Sequence, residues 1–143
     1  MFSLFACNNN AIYDHNEIVG EPWLSQNKAE FVFDITDTLS AYDFYINIRN
    51  TTSYEWSNIF LFIRTELPDG RFSIDTAEVF LADLQGNWLG SGFGDIKDSQ
   101  ILFRKRGRFP MSGTYILSFE QAMRKKKGLI GIESVGIRIE HTE

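Results

Sequence analysis

A single cysteine in 143 residues leaves the chain with no intrachain disulfide and no thiolate cage for a metal. Histidine is almost as scarce. His15 and His141 stand near the two ends, where chains fray, so a Ser–His–Asp triad or a histidine metal site lacks its raw material. No run of 18 apolar residues is present, which excludes a membrane-spanning helix within these residues. No phosphate loop with its lysine occurs, and Gly90-x-Gly92-x-Gly94 is not followed by a helix whose end would hold a phosphate. Only three prolines interrupt the chain.

What is abundant is aromatic: 13 Phe, 5 Tyr and 3 Trp, against the aromatic-poor composition of disordered chains. With 43% hydrophobic and 23% charged residues, the length suits one globular domain that builds a core without staples. The net charge of −5 is unevenly spread. Acids outnumber bases fifteen to five through residue 98, and bases outnumber acids nine to four after it. The pI near 5.0 argues against a nucleic-acid partner, for which a basic domain is expected.

The first residues read differently from the rest. Leu4-Phe5-Ala6-Cys7 precedes the polar Asn8-Asn9-Asn10, and an apolar piece ending in a small residue before a cut is how a secretory leader ends. With the small residue directly before Cys7, the pattern is like a bacterial lipoprotein processing box, in which the cysteine becomes an acylated N-terminus. Residues 1–10 are read as a truncated signal remnant and tether, and residues 11–143 as a single domain.

Past the tether, period-two alternation dominates. Phe31, Phe33 and Ile35 alternate with Val32, Asp34 and Thr36, and Phe44, Ile46 and Ile48 alternate with Tyr45, Asn47 and Arg49. Ile59 to Ile63 is apolar at every position, as in a central strand, and Pro68-Asp69-Gly70 is a turn. Phe72 with Ile74, Val79 with Leu81, Ile101 with Phe103, Tyr115 to Phe119 and Val135 to Ile139 supply five more strands. Phe119 to Lys127 reads as a short helix near the C-terminus, on the propensities of Ala122, Met123 and Arg124. The expected fold is all-β: an antiparallel, jelly-roll-like β-sandwich with that one helix.

Three groups of residues are candidates for a working site. Asp83, Asp95 and Asp98 share a glycine-rich loop and have the oxygen ligands of a structural Ca²⁺. The alternative is a packed crossover between sheets, with Trp88 and Phe93 plugging the core. Tyr45, Asn47 and Arg49, with Tyr54 and Trp56 just beyond, read as an exposed aromatic and polar row that suits a sugar or a protein hot spot. Otherwise such residues pair across strands. Arg104-Lys105-Arg106 with Arg108, and Arg124 to Lys127, read as one basic end of the sandwich. Arg106 and Lys126 in it would face an acidic partner or anionic lipid, or merely balance the acidic first two-thirds of the chain.

Longer motifs carry a resemblance. They are Ser57-Asn58-Ile59-Phe60-Leu61-Phe62-Ile63, Pro68-x-Gly70, Asp75-Thr76, Leu81-Ala82-Asp83, and Gly86-x-Trp88-Leu89-Gly90-x-Gly92-x-Gly94-Asp95-Ile96-x-Asp98. Glu120-Gln121-Ala122-Met123-Arg124 and Gly131-Ile132-x-x-Val135-Gly136-Ile137-Arg138-Ile139-Glu140 complete them. Together with Cys7, these make the chain resemble the gliding-motility lipoprotein H (GldH) family over nearly all of its length. The resemblance implies a non-enzymatic, membrane-anchored envelope lipoprotein of the gliding and type IX secretion apparatus, lipidated at Cys7 and without catalytic residues or a required cofactor. Its partners would be other gliding and secretion envelope proteins. No acidic cluster follows Cys7, which implies a domain facing the periplasm. Two functional expectations result: a tethered interaction module, or a glycan- or Ca²⁺-binding jelly-roll module of the envelope.

Overall fold

The computed structural model describes residues 10–125 and 127–143. Among them eight strands form: β1 (Ala11–Ile18), β2 (Ala29–Ile35), β3 (Tyr42–Thr51), β4 (Asn58–Glu66), β5 (Phe72–Phe80), β6 (Ile96–Gly107), β7 (Gly113–Gln121) and β8 (Ile132–His141). All pair antiparallel, in two four-stranded sheets of order β1-β8-β3-β6 and β2-β7-β4-β5. The chain changes sheet at every connection except β4 to β5. That hairpin closes through Pro68-Asp69-Gly70, where Gly70 takes φ +91° and its amide donates to the Leu67 carbonyl at 2.9 Å. Interleaving of this kind is jelly-roll order, and it leaves four edge strands: β1, β6, β2 and β5.

The inner faces follow from alternation. Phe31, Phe33 and Ile35 on β2, Ile59, Leu61 and Ile63 on β4, and Tyr115, Leu117 and Phe119 on β7 meet Ile46 and Ile48 on β3 and Val135, Ile137 and Ile139 on β8. Each such side chain, taken fully from water, contributes roughly 1.5–3 kcal/mol. Trp23, in the β1–β2 connection, is wholly buried and its indole donates to the Asn27 carbonyl at 2.7 Å.

The expected helix over Phe119–Lys127 does not form, and no helix occurs among the described residues. Phe119 and Gln121 instead complete β7, opposite Ile63 and Leu61 of β4, with Phe119 also opposite Ala29 of β2. The advantage of Ala, Met and Arg in a helix is a few tenths of a kcal/mol per residue, too little to nucleate so short a piece. Pairing and burial on both sides of β7 override it. Beyond Gln121 the chain turns, with Arg124 at φ 57°.

Two further differences concern strand count. Phe72 to Phe80 is one continuous strand rather than two, with Leu81 just beyond its end. β1 has no counterpart in the expected strands because its inward positions Tyr13, His15 and Glu17 show little apolar alternation. It is held by pairing with β8, and Gly136 makes the close approach possible: a Cβ there would sit 2.5 Å from the His15 carbonyl oxygen.

Candidate interaction surface

The residues singled out from sequence separate in space. Arg49 on β3 makes a two-pronged contact with Asp98 on β6, Nε to Oδ1 at 2.7 Å and a terminal nitrogen to Oδ2 at 3.1 Å. Asn47 donates to Asp14 and Asn16 of β1. Tyr45 is half-buried between Leu102 and Arg138, its phenol held above the ordinary value by burial first and by the Glu140 carboxylate next. This row is therefore engaged in cross-strand pairs. The shallow hollow beside it, about 600 Å³ and bounded by Asn16, Asn47, Arg49, Asp98 and Ser134 among others, has no aromatic side chain in its wall. It is not a stacking platform for a sugar.

Tyr54 is not on an exposed row at all. It is 3% exposed, donates its hydroxyl to the Asn58 carbonyl at 2.7 Å, and has its pKa raised by burial. Trp56 packs edge-on to it and is covered by Lys125, whose Nζ lies 4.7 Å from the ring centre. The three loop aspartates are not brought together as cation ligands either. Asp83 accepts the amides of Gln85 and Asn87, Asp98 is held by Arg49, and the described residues contain no metal-binding group of three such side chains. Trp88 packs against the core as the crossover reading expects, but Phe93 is fully exposed.

The two basic runs lie at opposite ends of the molecule. The Arg106 amide donates to Asp43, at the start of β3, whereas Lys125 sits on Trp56, just past its end. Ten residues of strand separate those ends by about 30 Å. Lys126 and Cys7 are outside the described residues.

What the structure does assemble is an apolar face that the sequence reading overlooked. On the outer side of the β2-β7-β4-β5 sheet, Phe60 and Phe62 of β4 stand beside Phe72, Ile74 and Phe80 of β5, each between 36% and 58% exposed. Phe60, Phe62, Thr76 and Met123 bound a hollow of about 410 Å³ in this face. Polar pairs are interleaved with it: Glu78, opposite Phe60, with Asn58 at 2.8 Å; Arg64, opposite Ile74, with Glu66 at 2.8 Å; and Lys28 with Glu120 at 3.7 Å. The Arg64 guanidinium also lies 4.2 Å over the Phe72 ring. Clustered exposed aromatic side chains around a hollow, with charged groups set among them, suit a protein–protein contact. Ile59 to Ile63 being apolar throughout was the available signal: one set of side chains fills the core and the other faces out.

A sequence profile of the family described as GldH lipoprotein matches residues 11–139. The chain belongs to that family. It is 38% identical over 144 residues to a "Gliding motility lipoprotein GldH homolog" of Christiangramia forsetii, covering 96% of this chain and 88% of that protein. It is 31% identical over 146 residues to "Gliding motility lipoprotein GldH" of Flavobacterium johnsoniae, covering 98% and 91%. Among solved structures, that of the infectious bursal disease virus Gx strain aligns with 89% of this chain and 29% of its own at 10% identity. Its TM-score of 0.35 is too low to carry an argument. GldH membership makes the chain a lipoprotein linked to gliding motility and anchored to a membrane of the cell envelope.

Proposed function

We propose that this GldH-family chain is a non-enzymatic interaction module of the gliding and type IX secretion apparatus. It is tethered through lipid on Cys7, with its sandwich facing the periplasm, where it docks other envelope components. The observation that carries this reading is the exposed face of Phe60, Phe62, Phe72, Ile74 and Phe80. Soluble domains seldom leave clustered large apolar side chains on one sheet face unless something covers them. His15 and His141 fall at different places, opposite Ile137 and Tyr42 respectively, and do not form a joint acid–base site.

The test is motility in a gliding host in which this chain replaces the resident relative. Ile74→Lys with Phe80→Lys changes two positions more than half exposed, so the fold and the protein level should hold. Gliding should be lost while the protein stays in the membrane fraction. Cys7→Ala should release the protein from that fraction. Full motility of the double lysine variant at normal abundance would overturn the reading.

A further inference from the structure

The opposite, inward side of β5 poses a separate problem. Closing a sandwich along its open side needs large side chains from both edge strands. The inward positions of β5 read Ser73, Asp75, Ala77 and Val79; the last two are buried and the first two are exposed. On the facing edge, β6 breaks register twice near Phe44, which carries its Arg104 end away from regular pairing. The sandwich is thus shut at the Val79 end of β5 and open at the Ser73 end.

The opening leads into a cleft of about 510 Å³, within the roughly 300–1,000 Å³ typical of small-molecule sites. Phe44, Leu67 and Phe103 give it an accessible apolar wall, and the floor beneath, formed by Phe33, Phe109 and Tyr115, is buried. Phe109 lies 4.9 to 6.0 Å, centre to centre, from Phe33, Phe44 and Tyr115, so the floor is a packed aromatic cluster that needs no rearrangement. Tyr115 already donates its hydroxyl to the Met111 carbonyl at 2.7 Å.

The rim is charged. Arg104 stands on the β6 side, and its guanidinium makes no hydrogen bond or ion pair among the described residues. Arg108 is anchored by one contact, its Nε to the Leu39 carbonyl at 3.0 Å. Asp75, across the cleft on β5, is the one carboxylate in the wall. Two cations against one anion around an apolar wall select a molecule with an apolar body and a single negative head.

The geometry points to this cleft as a binding site for a free long-chain carboxylate, its chain along the Phe44, Leu67 and Phe103 wall and its head against Arg104. This goes beyond the docking function, which uses the other face of β5.

Titration of the purified chain with 11-(dansylamino)undecanoic acid, followed by displacement with palmitate, tests it. Saturable binding displaced by palmitate is expected, and palmitamide, which lacks the charge, should displace poorly. Arg104→Glu should weaken binding about tenfold or more, the scale of a lost charge-assisted contact. Asp75→Asn should strengthen it a few-fold by removing the opposing charge. Ser73→Trp should fill the mouth and abolish binding with the melting temperature unchanged, since Ser73 is exposed and a strand accepts tryptophan. Ile74→Lys, on the docking face, should leave binding intact, so failure here is distinguishable from failure of the docking reading. Absence of palmitate displacement, or binding indifferent to both Arg104→Glu and Ser73→Trp, would overturn the assignment. So would association with phosphatidylglycerol vesicles in place of free palmitate.

Discussion

At the scale of single residues, two carboxylates fix the entry to β3 at one end of its sheet and make the fold acid-sensitive. Asp43 is 8% exposed and accepts the Arg106 amide at 3.0 Å and the Thr142 hydroxyl at 2.7 Å. Those bonds, the amide first, hold its pKa below the ordinary carboxylate range. Asp37 caps the turn before β3 and is lowered to about 2, by the Ser40 hydroxyl first and then by the Ser40 and Leu39 amides. Both bind protons more weakly folded than unfolded. Their contribution is therefore present above the unfolded value of about 3.9 and is lost as pH falls through the folded one. Thermal melts from pH 7 to 2 should show the midpoint dropping below about pH 4, and Asp37→Asn should flatten the part of that drop nearest pH 2. Asp43→Ala leaves the Arg106 amide without its acceptor and should cost about 1–3 kcal/mol in urea denaturation. Asp43→Asn, which keeps an oxygen there, should cost less.

At the scale of elements, the decisive contrast is the segment after Phe119. Arg124 has φ 57°, a conformation costing a non-glycine residue roughly 1–2 kcal/mol. Arg124→Gly should thus be neutral or stabilising by about 1 kcal/mol, whereas glycine inside a helix would cost about that much. Chemical denaturation of the variant separates the two. The strands with clean alternation were legible beforehand: β2 and β7 present apolar residues inward at every second position, and period two is all that a half-buried strand needs. β1 was not legible, because its stability comes from pairing with β8 rather than from its own pattern. Nor was the fate of Tyr54. Aromatic residues next to polar ones look alike whether they face water or the core, and it is the 3% exposure of Tyr54 and its hydroxyl bond to Asn58 that show this one is enclosed. The outward-facing Phe60 and Phe62 were hidden for a related reason. A strand apolar on both sides reads as sandwiched, and sequence does not say whether a second layer exists to cover it.

At the scale of the whole molecule, the four edges are treated unequally, and this ties stability in solution to function. β6 is guarded by register shifts and by Arg104, Lys105 and Arg106. β5 pairs with β4 without interruption from Phe72 to Phe80 and contains no lysine, proline or glycine. A long, unbroken edge beside exposed phenylalanines invites another chain. The isolated protein should therefore associate as its concentration rises, with sedimentation coefficients that increase accordingly. Ile74→Lys with Phe80→Lys should suppress that association. The same pair is expected to abolish gliding, so solubility and function should move in opposite directions. Val32→Lys supplies the contrast. Val32 is similarly exposed but lies on β2, at the far edge of the same sheet, away from the phenylalanine cluster. It should change neither association nor motility. A host whose gliding fails with Val32→Lys as readily as with the β5 pair would show that the whole face, rather than its β4–β5 side, is the contact.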